Sequence, residues 1–348
     1  MYKIVGIFAA VINILFTKLK TKEFLSIYGG AILGATYGLF LRLLFDFSVL
    51  REEIFGFNLF TVTFIWIVPV VIGIIPISFA TNKQLNTTKY SILLPAFTVL
   101  IFFISALLTR IEDLICLIIM MFPFMFGAMV GGYIFSQVIK RTRNKKGIIY
   151  SIIFLPFLSA IIENKFETPI NIYTAESVVV INSTEQVVWE NIVRVKLIDA
   201  NEYEKGFFNY VGIPRPLYAE LNKDTVGATR IGHFDGGLTF EEKVTLWKRN
   251  KEVAFDITVI PHSIRNTIFN QHILKGGHFK FINANYRIDK LDNTKVKLTL
   301  SSSYELNTNI NSYSSFWGDY LLTDFQNRLL AIIKKRAEHL QITTLNSY

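Results

Sequence analysis

The sequence predicts two folds joined end to end, a membrane α-helical bundle of about five spans followed by an α+β domain. Residues 1–162 consist of long apolar runs separated by short charged loops, whereas residues 163–348 have an ordinary mixture of polar and apolar residues. The first part carries a net charge of +8 and the second +1, so most of the total of +9 lies in the apolar half. The expected boundaries are a membrane domain over 1–162, a linker over 163–175 and a soluble domain over 176–348.

The membrane prediction depends on the length of the apolar runs. A spanning helix needs roughly 20 mostly apolar residues, because hydrocarbon offers backbone groups no hydrogen-bond partners. Four runs meet this requirement: Phe24–Leu41, Leu59–Ala80, Ser91–Leu108 and Leu114–Ile139. A fifth, Gly147–Ile162, is short and contains Pro156. The opening run, Ile4–Phe16, would extend only about 20 Å as a helix. It is predicted to be an interfacial helix, with a short span or a signal peptide as the alternatives.

Loop charges predict the orientation of the bundle. Segments 17–23, 81–90 and 140–146 contain ten basic residues, whereas the alternate loops 42–58 and 109–113 contain three. The positive-inside rule therefore places the lysine-rich loops in the cytoplasm. If Gly147–Ile162 spans the membrane, the second domain is extracytoplasmic. If that segment only dips into the membrane, the second domain is cytoplasmic. We expect an integral, multi-pass protein with an extracytoplasmic soluble domain.

The apolar half shows little that indicates chemistry. Ionisable residues are almost absent from the spans, and Arg42, at the end of one, is expected to reach the interface. The stripe Gly30-x-x-x-Gly34-x-x-x-Gly38 favours close helix packing. The bundle is interpreted as an anchor or scaffold.

The second half alternates between strand and helix patterns. Glu176–Ile181 is predicted to be a strand, and an amphipathic helix with Val188 and Trp189 on its buried side follows. A stretch containing Pro214 and Pro216 is expected to be irregular. Four strand-like runs come next: Gly227–Phe234, Leu238–Trp247, Glu252–Ile260 and His278–Asp289. A further strand, Lys295–Leu306, and a long helix over Ser312–Leu340 complete the domain.

This order resembles the helix-grip fold of the SRPBCC superfamily, which includes START-type lipid-binding domains and polyketide cyclase/dehydrase-like proteins. The resemblance covers residues 176–340 and lies in the opening Glu176-to-Ile192 strand–helix unit, the hairpin after Gly236-Gly237 and the closing helix. It implies an antiparallel sheet wrapped around the C-terminal helix, with an apolar cavity between them. It does not extend to the membrane half.

Candidate ligand-binding residues follow from mapping that cavity onto the strand period of two and the helix period of 3.6. Phe240, Glu242, Val244 and Leu246 share one face of their strand, as Phe255 and Ile257 do on the next. The helix stripe contains Tyr313, Phe316, Trp317 and Tyr320, and Tyr304 lies on the last strand. The complete candidate set is Phe240, Glu242, Val244, Phe255, Ile257, Tyr304, Tyr313, Phe316, Trp317 and Tyr320. The same residues are also consistent with a filled core.

Glu242 interrupts an otherwise apolar face. Such a carboxylate can bind a polar ligand head, act as a general base with a raised pKa, or pair with a lysine near the sheet edge. The histidines show no metal-ligand spacing, no nucleotide-binding or nucleophile motif occurs, and Cys116 is the only cysteine. The sequence predicts no metal and no cofactor. The basic residues lie in membrane loops, which argues against nucleic-acid binding.

Three functions remain open at this point. In order of preference they are a membrane-tethered binding domain for a lipid or other hydrophobic molecule, an enzyme of the cyclase/dehydratase kind, and a structural or sensory domain with a filled core. The expected partners are the lipid bilayer and a hydrophobic small molecule.

Overall fold

A computed structural model describes residues 28–46, 58–141 and 151–345. The chain divides into two compact units, the first comprising Met1–Glu112 with Leu117–Glu167 and the second comprising Asp113–Cys116 with Thr168–Tyr348. The predicted interfacial helix Ile4–Phe16 and the lysine-rich loop 17–23 lie outside the described residues, as do residues 142–150.

The first unit is helical. Its helices are α1 (Gly30–Asp46), α2 (Thr63–Ser78), α3 (Thr88–Leu108), α4 (Leu114–Arg141, which belongs to this unit from Leu117 onward) and α5 (Leu155–Glu163), with a short turn at Asn82–Leu85. The first turn of α2, Thr63–Ile67, is π-helical. Proline-containing apolar sequence thus forms helices throughout the described part of this unit.

Two helices of the described residues, α3 and α4, are long and apolar enough to cross a membrane. The prediction of about five spans is therefore not confirmed. The runs predicted at Leu59–Ala80 and Gly147–Ile162 give the shorter helices α2, which starts only at Thr63, and α5, which starts only at Leu155. Helix α1 has 17 residues in the described range.

The glycine stripe of α1 is a packing surface, as predicted. A Cβ atom at Gly34 would lie 2.8 Å from Thr98 Cγ2 and 3.0 Å from the Ile72 carbonyl oxygen. No larger side chain fits between α1 and its neighbours α2 and α3 at this point.

Arg42 does not reach an interface, which corrects the expectation from its position at the end of a run. Its side chain is fully buried and forms ion pairs with Glu112 and with Asp46, and Arg42 Nη1 lies 3.1 Å from Asp46 Oδ2. A buried guanidinium needs such partners, because an uncompensated charge is costly away from water. Both carboxylates lie in segments that had been predicted to be loop.

The second unit contains one seven-stranded antiparallel sheet. Its strands are β1 (Ile170–Ile181), β2 (Pro216–Leu221), β3 (Thr229–Phe234), β4 (Thr239–Lys248), β5 (Glu252–Val259), β6 (Phe279–Lys290) and β7 (Val296–Asn307). Their order across the sheet is β1-β7-β6-β5-β4-β3-β2. Successive strands from β2 to β7 are neighbours, and β1 closes the other edge beside β7.

Two strands differ from the predictions. Strand β1 starts at Ile170, inside the predicted linker, because its first residues pair with the end of β7 up to Asn307. Strand β2 had been assigned to an irregular stretch. Pro216 is its first residue, at the edge of the sheet, where a missing backbone N–H is tolerated.

Three helices complete the unit: α6 (Glu185–Val193), α7 (Phe207–Tyr210) and α8 (Asn311–Leu345). The β5–β6 connection contains the short helical segments Ile268–Asn270 and Gln271–Lys275. Helices α6 and α8 cover one face of the sheet, called here the inner face, and apolar side chains of α6, α8 and strands β4 to β7 form the largest core cluster of the unit. An antiparallel sheet packed on a long C-terminal helix is the helix-grip arrangement.

Candidate functional site

Strand register places the predicted sheet residues together on the inner face. Phe240 is opposite Val259, Glu242 is opposite Ile257, and Val244 is opposite Phe255. Leu246 does not share this face, because a β-bulge after Val244 shifts the register. Trp247 takes its place and packs against the core.

Glu242 forms a buried ion pair with Arg230, its partner on strand β3. Their side chains are only 13% and 5% exposed, respectively. Arg230 Nη2 also donates a hydrogen bond to the Ile192 carbonyl oxygen at 3.2 Å, and the guanidinium carbon lies 5.0 Å from the centre of the Phe255 ring. The pair is thus held by two strands, a helix and an aromatic face, and Glu242 keeps limited access to solvent.

Tyr286 adds a third polar group to this ion pair. Burial raises the pKa of the Tyr286 phenol to about 12, and the charge of Arg230 opposes part of this rise. Burial lowers the pKa of Arg230, but Glu242 and Tyr286 together outweigh burial, so the net shift is upward. Arg230 therefore stays charged, and Tyr286 stays protonated, at every pH near neutrality.

Sequence reasoning did not find Arg230, although the signal was present. Asp235-Gly236-Gly237 was predicted to form the turn of a hairpin, and Gly236 and Gly237 adopt the positive φ angles of 74° and 80° that such a turn requires. Counting six residues outward from Gly236 in both directions pairs Arg230 with Glu242, which is the observed register. The expected alternative of a lysine partner at the sheet edge is wrong.

Aromatic rings form a continuous row across the inner face. Successive ring centres are 4.8–5.7 Å apart. The members of this aromatic row are Phe234, Phe240, Phe281, Phe279, Tyr304 and Tyr173, in spatial order. Phe240 and Tyr304 are buried, while the other four are only partly buried. The row therefore leaves aromatic surface accessible on a face that would be closed in a fully packed core.

Tyr304 connects the aromatic row to α8. Its hydroxyl donates to Asp319 Oδ1 at 2.7 Å and lies 3.1 Å from the Ser315 carbonyl oxygen. Gly318 permits this approach, because a Cβ atom there would lie 2.8 Å from the Tyr304 hydroxyl oxygen. Burial, followed by the hydrogen bond to Asp319, raises the pKa of Tyr304 far above its usual value.

The predicted aromatic stripe of α8 divides between two environments. Tyr313 and Trp317 are partly buried, whereas Phe316 and Tyr320 are 62% and 53% exposed. Placing all four on a sheet-facing stripe is therefore wrong for Phe316 and Tyr320. The helix instead turns the side with Ser315, Asp319, Leu322 and Gln326 toward the sheet, and Gln326 Nε2 donates to the Ala175 carbonyl oxygen and to Ser302 Oγ.

A groove of about 450 Å³ lies elsewhere on the unit, at the outer edge of β2. The segment 194–197 and residues 218–221 line it, and backbone hydrogen bonds between Val195 and Ala219 join these two segments. None of the predicted site residues contributes to the groove. In the described part of the chain, no group of three or more His, Cys, Asp or Glu residues is arranged to hold a metal ion.

Comparisons with known proteins find no matching family model and no matching curated protein. Several solved structures align with about half of this chain. They include an aromatase/cyclase, ZhuI, from Streptomyces sp. R1128 (13% identity, 49% of this chain and 96% of that chain, TM-score 0.33). A START superfamily protein from Mycobacterium smegmatis aligns with 9% identity over 48% of this chain and 98% of that chain, with a TM-score of 0.33. Norcoclaurine synthase from Thalictrum flavum aligns with 9% identity over 50% of this chain and 99% of that chain, with a TM-score of 0.31.

Similarities of this size carry no argument about activity. The assignment of the second unit to the helix-grip class instead rests on its own strand order and on the C-terminal helix packed on the inner face.

Proposed function

We propose that the protein is a membrane-anchored binding protein whose helix-grip domain holds a lipid or another hydrophobic small molecule on the inner face of its sheet. The accessible surface of the aromatic row carries this proposal. Ligand sites for apolar molecules are concave and lined mainly by aromatic and aliphatic side chains with a few polar groups. Four partly buried rings beside one ion pair have this composition.

The Arg230–Glu242 pair supplies the polar contact. Ile257, opposite Glu242, and Phe240, two residues before it on the same strand, are both apolar. A ligand whose chain contacts the aromatic row can therefore direct a polar head group toward Glu242. We accordingly include the candidate residues Phe240, Glu242, Ile257 and Tyr304 in the proposed site, with Val244 and Phe255 beneath them in the core.

Exposed apolar surface on α3 and α4 supports the membrane anchor. Leu93 and Ile104 on α3, and Phe122 and Ile134 on α4, are each more than half exposed. A water-soluble surface rarely presents so many large apolar side chains together, whereas lipid accommodates them. We place the basic loops in the cytoplasm and, if α5 belongs to a span, the helix-grip domain on the extracytoplasmic side.

Photolabelling of the full chain tests the ligand site. The chain, reconstituted in phospholipid nanodiscs, is irradiated with a diazirine-bearing fatty acid, and the labelled peptides are mapped by mass spectrometry. We expect adducts on β4, β5 and β6, and we expect Ile257→Trp, which fills the space beside Glu242, to abolish them. Val180→Trp is the matched control, because Val180 is a β-branched residue on the outer side of β1 and is 45% exposed.

Adducts confined to the first unit, or adducts on the inner face that survive Ile257→Trp, would contradict the proposal. Val259→Phe, on the same face of β5, replaces Ile257→Trp if that variant fails to fold. Release of the fatty acid with an altered mass would indicate the cyclase/dehydratase alternative.

A further inference from the structure

Four exposed aromatic side chains on the helix-grip domain are unexplained by the ligand site. They form an aromatic patch, defined as Phe207, Tyr210, Phe316 and Tyr320, and their exposed fractions are 50%, 75%, 62% and 53%. Single exposed apolar residues are ordinary, but contiguous apolar surface marks an interaction site.

Ring contacts show that the patch is continuous between α7 and α8. Phe207 contacts Phe208 with ring centres 5.5 Å apart, and Phe208 contacts Tyr320 at 5.1 Å. On α8, Trp317 lies between Phe316 and Tyr320, at 5.6 Å and 6.4 Å from their ring centres. Tyr210 is one helical turn after Phe207. The exposed rings thus rest on two partly or fully buried rings and have a fixed arrangement.

The α8 part of the patch lies close to the point where the chain enters the domain. Asn311 Nδ2, at the first residue of α8, donates to the Pro169 carbonyl oxygen at 2.7 Å and to Asn171 Oδ1 at 2.8 Å. Phe316 is about 7.5 Å along the helix from Asn311, and Tyr320 about 13.5 Å. Ile170 and Ile172, at the same end of β1, are 62% and 64% exposed. Pro169 follows the end of α5 by only six residues.

We infer that the aromatic patch is a docking surface for the lipid bilayer. Tyrosine is favoured at the boundary between hydrocarbon and head groups, because its ring is buried there while its hydroxyl stays hydrated, and phenylalanine inserts its apolar ring at the same boundary. If α5 belongs to a span, the short connection from Glu163 to Pro169 keeps this end of the domain within about 20 Å of the end of that helix. This inference rests on the membrane anchoring proposed above and is independent of the ligand site.

Lipid quenching tests the inference on the full chain in nanodiscs. In a Cys116→Ser background, Tyr210→Cys and Phe316→Cys are each labelled with a nitrobenzoxadiazole fluorophore. We expect both labels to lose emission when acyl-chain doxyl lipids replace ordinary phosphatidylcholine and phosphatidylglycerol. Leu291→Cys is the matched control, since Leu291 is 53% exposed in the turn at the other end of the β6–β7 hairpin. Its emission should not change.

Patch labels that respond no more than the Leu291 label would overturn the inference. Shielding that appears only in nanodiscs holding two copies of the chain would overturn it as well, because a second copy would then cover the patch. A label at Leu107→Cys, 42% exposed on α3, reports membrane insertion separately. If that label is quenched and the patch labels are not, docking fails while anchoring holds; if it is not quenched, anchoring itself fails.

Discussion

Arg230 and Glu242 face each other across β3 and β4 with little access to water, so each charge depends mainly on the other for compensation. Removing one member of such a pair leaves a buried charge without compensation, whereas removing both leaves none. The sequence showed the carboxylate as an anomaly on an apolar face. The physical reason for it is the arginine on the neighbouring strand.

A double-mutant cycle measures this coupling. We expect Glu242→Leu and Arg230→Met each to lower the free energy of unfolding by about 3–5 kcal/mol, and the double variant Arg230→Met/Glu242→Leu, which combines the two, to lose much less than their sum. Chemical denaturation followed by circular dichroism provides the values. Lys248→Met is the control, because the Lys248–Glu252 pair is exposed at its lysine and contributes about 0–1 kcal/mol. Additive losses in the cycle would contradict the assigned ion pair.

Tyr286 predicts a stability change at high pH. Its pKa is about 12 in the folded protein, against the ordinary value of 10.0 in the unfolded chain. The folded state therefore keeps a proton that the unfolded state releases. The free energy of unfolding therefore keeps its full value below pH 10 and falls by about 2–3 kcal/mol as pH rises from 10 to 12.

We expect Tyr286→Phe to lose less stability than the wild type over this interval, because phenylalanine has no proton to release. Unfolding free energies measured from pH 9 to 12 give the comparison, and the other tyrosines contribute equally to both proteins. Parallel pH profiles would contradict the assignment.

Helix α8 shows how an element can be predicted correctly while its orientation is not. Its bounds follow from sequence, but its aromatic residues suggested the wrong face. Leu329 and Leu322 are both buried and lie seven residues apart, or about two helical turns. A further seven residues toward the N-terminus on the same side of the helix is Ser315, which contacts Tyr304. The spacing of these leucines thus indicated the sheet-facing side more reliably than the aromatic residues did.

Gly318 on this helix gives an element-level prediction. Glycine to alanine in a helix normally stabilises by about 1 kcal/mol. Gly318→Ala should instead destabilise the domain, by about 1–3 kcal/mol, because the new Cβ atom displaces the Tyr304 hydroxyl from Asp319. Thermal unfolding compares it with Asn327→Ala, an exposed position on the same helix. A gain in stability for Gly318→Ala would contradict the contact.

For the strands, period-two alternation and turn residues predicted five of the seven elements within a few residues. Strand β2 was not predicted because Pro216 is its first residue. The bulge after Val244 was not predicted because Thr245-Leu246-Trp247 shows no departure from the alternating pattern. Long-range pairing decides both features, and local sequence does not contain it.

At the scale of the whole molecule, the chain consists of a helical unit and a helix-grip unit, each with its own internal contacts. The second unit has its own core, formed by twenty buried residues between α6, α8 and the sheet. We expect residues 168–348, expressed alone, to be soluble and to unfold in one cooperative transition. Size-exclusion chromatography and thermal denaturation check this. Persistent aggregation, or the absence of a transition, would show that the unit depends on the rest of the chain.

The composition of the first unit predicted a membrane helical bundle of about five spans, and the described residues confirm two helices of spanning length and apolarity. The described helices differ in length although Pro76, Pro95 and Pro123 lie inside them, and two reach spanning length. Run length in a sequence does not fix the helix ends, which depend on contacts such as the Glu163 carboxylate, which accepts hydrogen bonds from the Val62 and Thr63 N–H groups.

Occupancy of the inner face is the central claim, and native mass spectrometry of the full chain released from detergent measures it directly. We expect the wild type and Val180→Trp to retain a bound molecule of lipid mass that Ile257→Trp lacks, because tryptophan fills the space beside Glu242 and the aromatic row. The same adduct on all three proteins would place the lipid elsewhere. The absence of any adduct, even after incubation with excess fatty acid or phospholipid, would contradict ligand binding on the inner face.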